Sequence, residues 1–267
     1  MRAVVALLTD YGTQDHYVGA VKGAILAADP DASVVDIVHD LPPHDIQVAA
    51  FALDASYRAF PAGSVFLAVV DPGVGSERRA LALEAGGYRF VGPDNGLFTL
   101  VLAEHADARV HEITNAGLFR HEVSPTFHGR DVFAPVAGRL AGGMALAEVG
   151  PKVADPVLFA VEGCHAVGKD AWESPVIHVD RFGNLVTAFS ALDLEEILAG
   201  VGGDPNQVLV TVEGIAMPLV QTFADVAEGE PCAYFGSSRR LEIALNRGNA
   251  SRVLGAARGA PVRIRRH

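Results

Sequence analysis

Only two cysteines, Cys164 and Cys232, occur among 267 residues. Two thiols so far apart offer neither a zinc-ligand spacing nor a disulfide framework. Cations are also scarce, with 21 Lys and Arg against 32 Asp and Glu and a formal net charge of −11. That balance argues against a nucleic-acid ligand, whose binders present a basic face. It suits a neutral or cationic small molecule. No apolar run approaches the length of a membrane span. The opening residues, Met1–Asp10, hold too short an apolar stretch for a secretory signal, so a cytoplasmic protein is expected. Internal repeats and low-complexity tracts are missing as well. What remains is 50% hydrophobic and 20% charged. This is a globular balance, in a chain long enough for one large domain or two smaller ones with proper cores.

The stretch 69–96 organises the rest. An apolar run, Ser64–Val70, reads as a buried strand and breaks into the turn Asp71-Pro72-Gly73-Val74-Gly75. Asp71 stands at the strand end. Arg78 follows seven residues later with Arg79 beside it, and a second turn, Gly92-Pro93-Asp94-Asn95-Gly96, closes the stretch. Ligands of open α/β sheets sit outside the carboxyl ends of strands, which makes Asp71 a candidate site residue. Taken alone, the same residues also describe an ordinary turn with a surface Asp–Arg pair.

The preceding residues set the context. Runs at 3–8 and at Val34–Val38 read as further strands, and Asp15–Ala28 and Asp45–Phe60 as helices. Strand–turn–helix units repeated in this way predict a parallel sheet covered by helices. Parallel strands point one way, so Asp10, His39 with Asp40, and Asp71 should converge on one edge. Residues 80–91 read as a hairpin about Gly86-Gly87, Leu97–Leu102 as a short helix and Val110–Ile113 as a short strand. The turn Ser124–Asp131, holding His128, leads into a helix over Val132–Leu140.

Residues 161–173 lie in a Gly- and Pro-punctuated tract and are expected to be a linker between domains at 1–160 and 174–267. Beyond it, many short strands at close spacing predict a small barrel or sandwich. Two clusters there could face a ligand. Asp180, Phe182 and Asn184 surround one glycine, where an amide and a carboxylate can recognise a ribose or an amino group and a Phe can stack on a flat base. Ser238 and Arg239, followed by Glu242 and Asn246, could bind a carboxylate through hydroxyl and guanidinium groups. Each cluster is also what a plain hairpin turn looks like.

Six motifs in order carry a resemblance: Thr9-Asp10-Tyr11-Gly12; Val70–Gly75 with Arg78; Gly92–Gly96; Ser124–Asp131; Asp180–Asn184; and Glu242–Asn246. Together they resemble the S-adenosyl-L-methionine (SAM) hydrolase (adenosine-forming) family, also called SAM hydroxide adenosyltransferases, which are relatives of the fluorinases and chlorinases. The resemblance implies an N-terminal Rossmann-like α/β domain with a parallel-rich sheet and a smaller C-terminal β-barrel domain. It implies a homotrimer with an inter-subunit active site that converts SAM and water to adenosine and L-methionine without a metal or other cofactor. It carries the catalytic set onto Asp71, Arg78 and His128 and the ribose contact onto Asp10. The methionine ends fall to Asp180 and Ser238, with Arg239 near them. Asn184 is implied at the adenine and Phe182 against the ligand. Neither nucleic acid nor membrane is expected as a partner.

The chain departs from the halogenating relatives, which carry Tyr at Asp71, Thr at Val74, Ser at Gly129 and Trp at His44. A carboxylate at position 71 repels a halide and can accept a proton from water. Methionine leaves from a sulfonium as a neutral thioether, so no general acid is required. The site needs in-line water and a way to take up its proton. Asp71 and His128 are the candidates, while Arg78 weakens a neighbouring carboxylate as a base and stabilises hydroxide. The expected device is therefore a cluster that holds water or hydroxide. Two other classes stay open on the sequence. One is a metal-dependent hydrolase built on Asp10, His39, Asp40, Asp71 and His128. The other is a module that binds SAM or adenosine without turnover.

Overall fold

The computed structural model describes residues 3–267. It divides into two compact units, one ending at Ala160 and the other beginning at Val161. In the first, β1 (Val4–Thr9), α1 (Tyr17–Ala28), β2 (Ser33–Val38), α2 (Ile46–Tyr57) and β3 (Val65–Val69) alternate as the apolar pattern predicts. A hairpin of β4 (Ala80–Ala85) and β5 (Tyr88–Pro93) follows, then α3 (Thr99–Glu104) and β6 (Arg109–Glu112). A π-type turn, Gly129–Phe133, runs into α4 (Ala134–Ala141).

The six strands form one mixed sheet in the order β2-β1-β3-β5-β4-β6. β1 pairs in parallel with β2 and β3, and β3 with β5. β4 runs antiparallel to both β5 and β6. Helices cover both faces, which explains why β1 and β3 are continuously apolar and do not alternate with polar residues. Period-two geometry still sorts their side chains. Val5, Leu7, Leu67 and Val69 pack with Val21 and Ile25 of α1 and Val136 and Leu140 of α4. Ala6, Leu8, Phe66 and Ala68 pack on the other face with Leu53 and Tyr57 of α2 and Val101 of α3. The Asp45 carboxylate caps α2 by accepting from the Val48 N–H at 3.1 Å, which satisfies one orphan donor of the first turn.

The second unit comprises β7 (His165–Gly168), β8 (Ala171–Val179), β9 (Leu185–Ser190), α5 (Ala191–Ala199), β10 (Val208–Val212), β11 (Ile215–Met217), β12 (Pro231–Phe235), β13 (Arg240–Leu245), α6 (Ala250–Leu254) and β14 (Pro261–Arg266). Its antiparallel sheet has the order β11-β10-β14-β8-β9-β13-β12, with β7 added on β8. The end strands nearly close on each other. The Val220 N–H donates to Ala233 O at 2.8 Å and the Ala233 N–H to Pro218 O at 3.0 Å. The result is a barrel-like sheet whose interior is filled by Val176, Phe189, Val210, Ile243, Val262 and Ile264.

One sequence expectation is corrected here. Residues 161–173, read as a linker, contain β7 and the start of β8. Every residue of β7 is exposed, so its short sequence carries no alternation to betray a strand, and it exists only by pairing with β8. Among the described residues no helix is long and apolar enough to cross a membrane.

Candidate active site

The site in the first unit begins where β3 ends. Asp71 opens a turn closed by the Val74 N–H on Asp71 O at 3.2 Å and the Ser76 hydroxyl on Gly73 O at 2.7 Å. Gly75 has φ +79, and a Cβ there would lie 2.6 Å from Pro125 O. Only glycine combines that backbone with that approach, and the approach brings the 71–78 loop against the loop that carries His128.

Arg78 then folds back on the strand end. Its Nε donates to Asp71 Oδ1 at 2.9 Å and Oδ2 at 3.1 Å, and its Nη2 to Oδ2 at 2.5 Å. The same Nη2 lies 2.9 Å from His128 Nδ1. A guanidinium has no lone pair to accept with, so His128 Nδ1 must be the acceptor and the ring proton sits on Nε2. Burial, and then the Arg78 charge, hold the His128 pKa below the usual imidazole value. Both effects favour this neutral tautomer. The Asp71 and Arg78 side chains are 6% and 11% exposed, so the pair is little screened by water.

The neighbouring Arg79 goes elsewhere. It donates to Asp94 at 2.7 Å and to Asp155 at 2.8 Å. The Asn95 amide donates to Val70 O at 2.9 Å. The Gly92–Gly96 turn is thereby tied to the end of β3, and its Asp94 is committed to structure.

Asp10, at the end of β1, accepts from the His44 N–H at 2.9 Å through Oδ2. Its other oxygen has no hydrogen-bond partner among the described residues. His39, at the end of β2, contacts the Thr9 hydroxyl at 2.9 Å through Nδ1, and its carbonyl accepts from the Gly12 N–H at 2.8 Å. It therefore clamps the β1–α1 turn. The ends of β1 and β3 converge, with Asp10 and Asp71 both lining a cleft of about 500 Å³ with Tyr11, His44, Val74 and Phe127, whereas His39 and Asp40 after β2 are not part of its lining. The five residues considered for a divalent ion are not gathered round one point. His39 is turned to Thr9 and His128 to Arg78, and among the described residues no group of three or more His, Cys, Asp or Glu could hold a metal.

Sequence reasoning assigned Tyr11 no role. Its ring packs edge-on to Phe127, with centroids 5.9 Å apart, and a Cβ at Gly129 would lie 2.3 Å from its hydroxyl oxygen. Burial, then Asp10 and Asp71, push its phenol well above the ordinary value, so it stays protonated. The signal available was its place beside Asp10 in a strand-end turn. Asp131 anchors the His128 loop from inside. It is fully buried, and accepts from Arg130 at 2.7 and 2.8 Å and from the Ser124 N–H at 2.9 Å. Burial works to raise its pKa, but the Arg130 and Ser124 hydrogen bonds outweigh it and hold the carboxyl below its usual range.

In the second unit, Asp180 Oδ1 accepts from the Phe182 and Asn184 N–H groups, each at 2.8 Å, and Oδ2 from the Asn184 amide at 2.9 Å. The β8–β9 turn is thus built on one carboxylate, and Phe182 at its tip is 75% exposed. In the β12–β13 turn, the Ser238 hydroxyl donates to Glu242 Oε1 at 2.7 Å, while Arg239 is exposed with φ +60. Asn246, which follows this cluster in the sequence, donates its amide to Val226 O at 2.8 Å.

Comparison with known proteins adds to this geometry. Family models described as the SAM hydroxide adenosyltransferase N-terminal and C-terminal domains match residues 5–150 and 174–263. A Thermus thermophilus protein named (R)-S-adenosyl-L-methionine hydrolase is 41% identical, over 97% of this chain and 98% of that protein. A protein named fluorinase from Actinoplanes sp. is 31% identical over 91% of each. A crystal structure of an uncharacterized conserved protein from Thermotoga maritima matches with a TM-score of 0.91 at 35% identity, covering 98% of this chain and all of that one.

Proposed function

The chain belongs to the SAM hydroxide adenosyltransferase family, and from that premise we propose that it hydrolyses S-adenosyl-L-methionine to adenosine and L-methionine by attack of water or hydroxide at the 5′ carbon. The observation that carries this reading is the hydrogen-bonded chain Asp71–Arg78–His128 at the end of β3, on the cleft that Asp10 also lines.

The chemistry follows from which atoms remain free. Arg78 takes two of the roughly four acceptor directions on Asp71 through Oδ2, while Oδ1 receives one bond and can take another from water. His128 Nδ1 is occupied, so the ring offers Nε2–H as a donor. A water held by Asp71 and the imidazole has one proton directed at a carboxylate and a lone pair free for in-line attack. The guanidinium stabilises the hydroxide that forms. The neutral thioether departs unaided. Holding the two reactants in line can contribute roughly 7–11 kcal/mol in the best case. No metal enters this scheme.

Asp10 is the ribose contact and Asn184 the adenine contact, with Phe182 against the ligand. Asp180, Ser238 and Arg239 serve the amino-acid end. The N-terminal unit then works as a Rossmann-like nucleoside domain, in a cytoplasmic homotrimer whose active site is shared between subunits. Hydrolysis is favoured over halogenation by Asp71, which repels an anion, and by Gly129, where Tyr11 leaves no room for the serine of a halide pocket.

The test is turnover of SAM in ¹⁸O-labelled water with and without EDTA. Labelled adenosine plus methionine in both is the expected outcome. SAM bound but unconsumed would make the protein a binding module, and activity lost to EDTA and restored by a divalent ion would overturn the metal-free scheme.

A further inference from the structure

We infer that the Tyr11 hydroxyl is a third protein contact of the attacking water, beside Asp71 and His128, and accepts the proton that stays on oxygen to become the 5′-hydroxyl of adenosine. The inference rests on the SAM reading above and deepens it. Tyr11 lies two residues beyond β1, and its N–H donates to the Thr9 hydroxyl at 3.3 Å, which His39 also contacts. Its ring is wedged between Phe127 and Tyr17, with centroids 5.9 and 6.1 Å away. Backbone and ring are therefore both fixed. The hydroxyl meets the backbone of Gly129, the residue after His128. A Cβ built there would lie 2.3 Å from the phenol oxygen and 3.3 Å from the nearest ring carbon. The oxygen thus stands where a side chain at position 129 would begin. Tyr11, Gly129 and Asp71 line one cleft, and the hydroxyl has no hydrogen-bond partner among the described residues.

Water has two protons and two lone pairs. In the proposed scheme one proton turns to Asp71, one lone pair accepts from His128 Nε2–H, and the other lone pair attacks carbon. The C5′–O bond forms as the C5′–S electron pair returns to sulfur. The proton facing Asp71 is given up, and the second stays on the oxygen throughout. An O–H group taken out of bulk water needs an acceptor, so that second proton calls for a lone pair. The other oxygen-bearing side chains of the cleft are committed or turned outward. Asp10 accepts from the His44 N–H and is the ribose contact, the Ser124 and Thr126 hydroxyls are 3.3 Å apart and bonded to each other, and Tyr17 is 42% exposed. Tyr11 stands against the His128 loop with its oxygen unused. Burial, then Asp10 and Asp71, keep the phenol neutral, so it offers a lone pair without adding a second anion beside Asp71.

The same contact persists in the product, where Tyr11 holds the 5′-hydroxyl. The test measures calorimetric Kd values for adenosine and 5′-deoxyadenosine on the wild type and on Tyr11→Phe. The wild type should favour adenosine, and the variant should lose about threefold to tenfold of that preference, the effect of one neutral hydrogen bond. Affinity for 5′-deoxyadenosine should change less than about twofold. On SAM the variant should lower kcat about tenfold and leave Kd unchanged. An unchanged preference would overturn the inference. So would equal losses for the two nucleosides, because a displaced ring weakens both alike. If Tyr11→Phe melts below the assay temperature, the wild type alone decides, and 5′-deoxyadenosine bound as tightly as adenosine overturns the contact. A wild type that shows the preference for adenosine but leaves SAM intact defeats the hydrolase reading alone.

Discussion

At Asp71 the proposed chemistry depends on one carboxylate that is already engaged. Two Arg78 nitrogens bind it, and one of them continues to His128. A lone base would have an unencumbered lone pair and a free histidine beside it. Here the histidine is pinned as an Nε2–H donor, so the cluster holds and orients water more than it abstracts a proton. Asp71→Asn keeps the size and one acceptor oxygen but removes the charge that draws the proton of the attacking water. It should lower kcat about tenfold or more while leaving SAM affinity nearly intact. Single-turnover rates and Kd measured together check this, and unchanged turnover removes Asp71 from the mechanism. The residue types at this site were legible in the sequence, because strand ends in a parallel sheet collect polar groups at one edge. The division of labour between Arg78 and Arg79 was not. Adjacent residues with identical side chains look interchangeable until one meets Asp71 and the other Asp94 and Asp155.

Among the elements, the contact that matters most lies between the β1–α1 turn and the π-type turn before α4. Tyr11 reaches Gly129, and its ring is held between Phe127 and Tyr17 with centroids 5.9 and 6.1 Å away. The ring cannot swing aside without breaking that cluster. Gly129→Ala should therefore destabilise the protein by about 1–3 kcal/mol, the usual effect of overpacking a filled site. Tyr11→Phe in the same chain should recover most of the loss, because the nearest remaining ring atom lies 3.3 Å from the new Cβ. Urea unfolding of the single and double variants measures both effects, and equal stability of Gly129→Ala in the two backgrounds would show that the phenol is not the obstacle. The helices and the buried strands of this unit could be read from apolar runs and breakers. β7 could not, because a fully exposed edge strand has no pattern of its own and is defined by its partner.

For the whole molecule, the N-terminal unit has a core on each face of its sheet and the C-terminal unit a core inside its barrel, so each unit buries an apolar core of its own. Large apolar side chains nevertheless remain outside these cores: Val157 and Leu158 in the first unit are 49% and 55% exposed, and Phe182 in the second 75%. Such residues are ordinary when single. The proposed homotrimer predicts a species of three times the 28.0 kDa chain mass in light scattering at micromolar concentration. A single species at the chain mass would remove the trimer.

The amino-acid sequence by itself determined the order of strands and helices in the N-terminal unit, the presence of an α/β half and a β half, and the motifs that mark the family. Hydrophobic periodicity, turn residues and short polar strand ends are local properties, and they survive without knowledge of neighbours. Tertiary structure alone decided how protons and charges are shared. It placed the Arg78 guanidinium between Asp71 and His128, which fixes the tautomer of the imidazole. It also set Ser238 and Tyr234 on Glu242, which leaves both hydroxyls as acceptors. A hydroxyl or an imidazole can donate or accept, and which it does depends on a partner that folding brings from elsewhere in the chain.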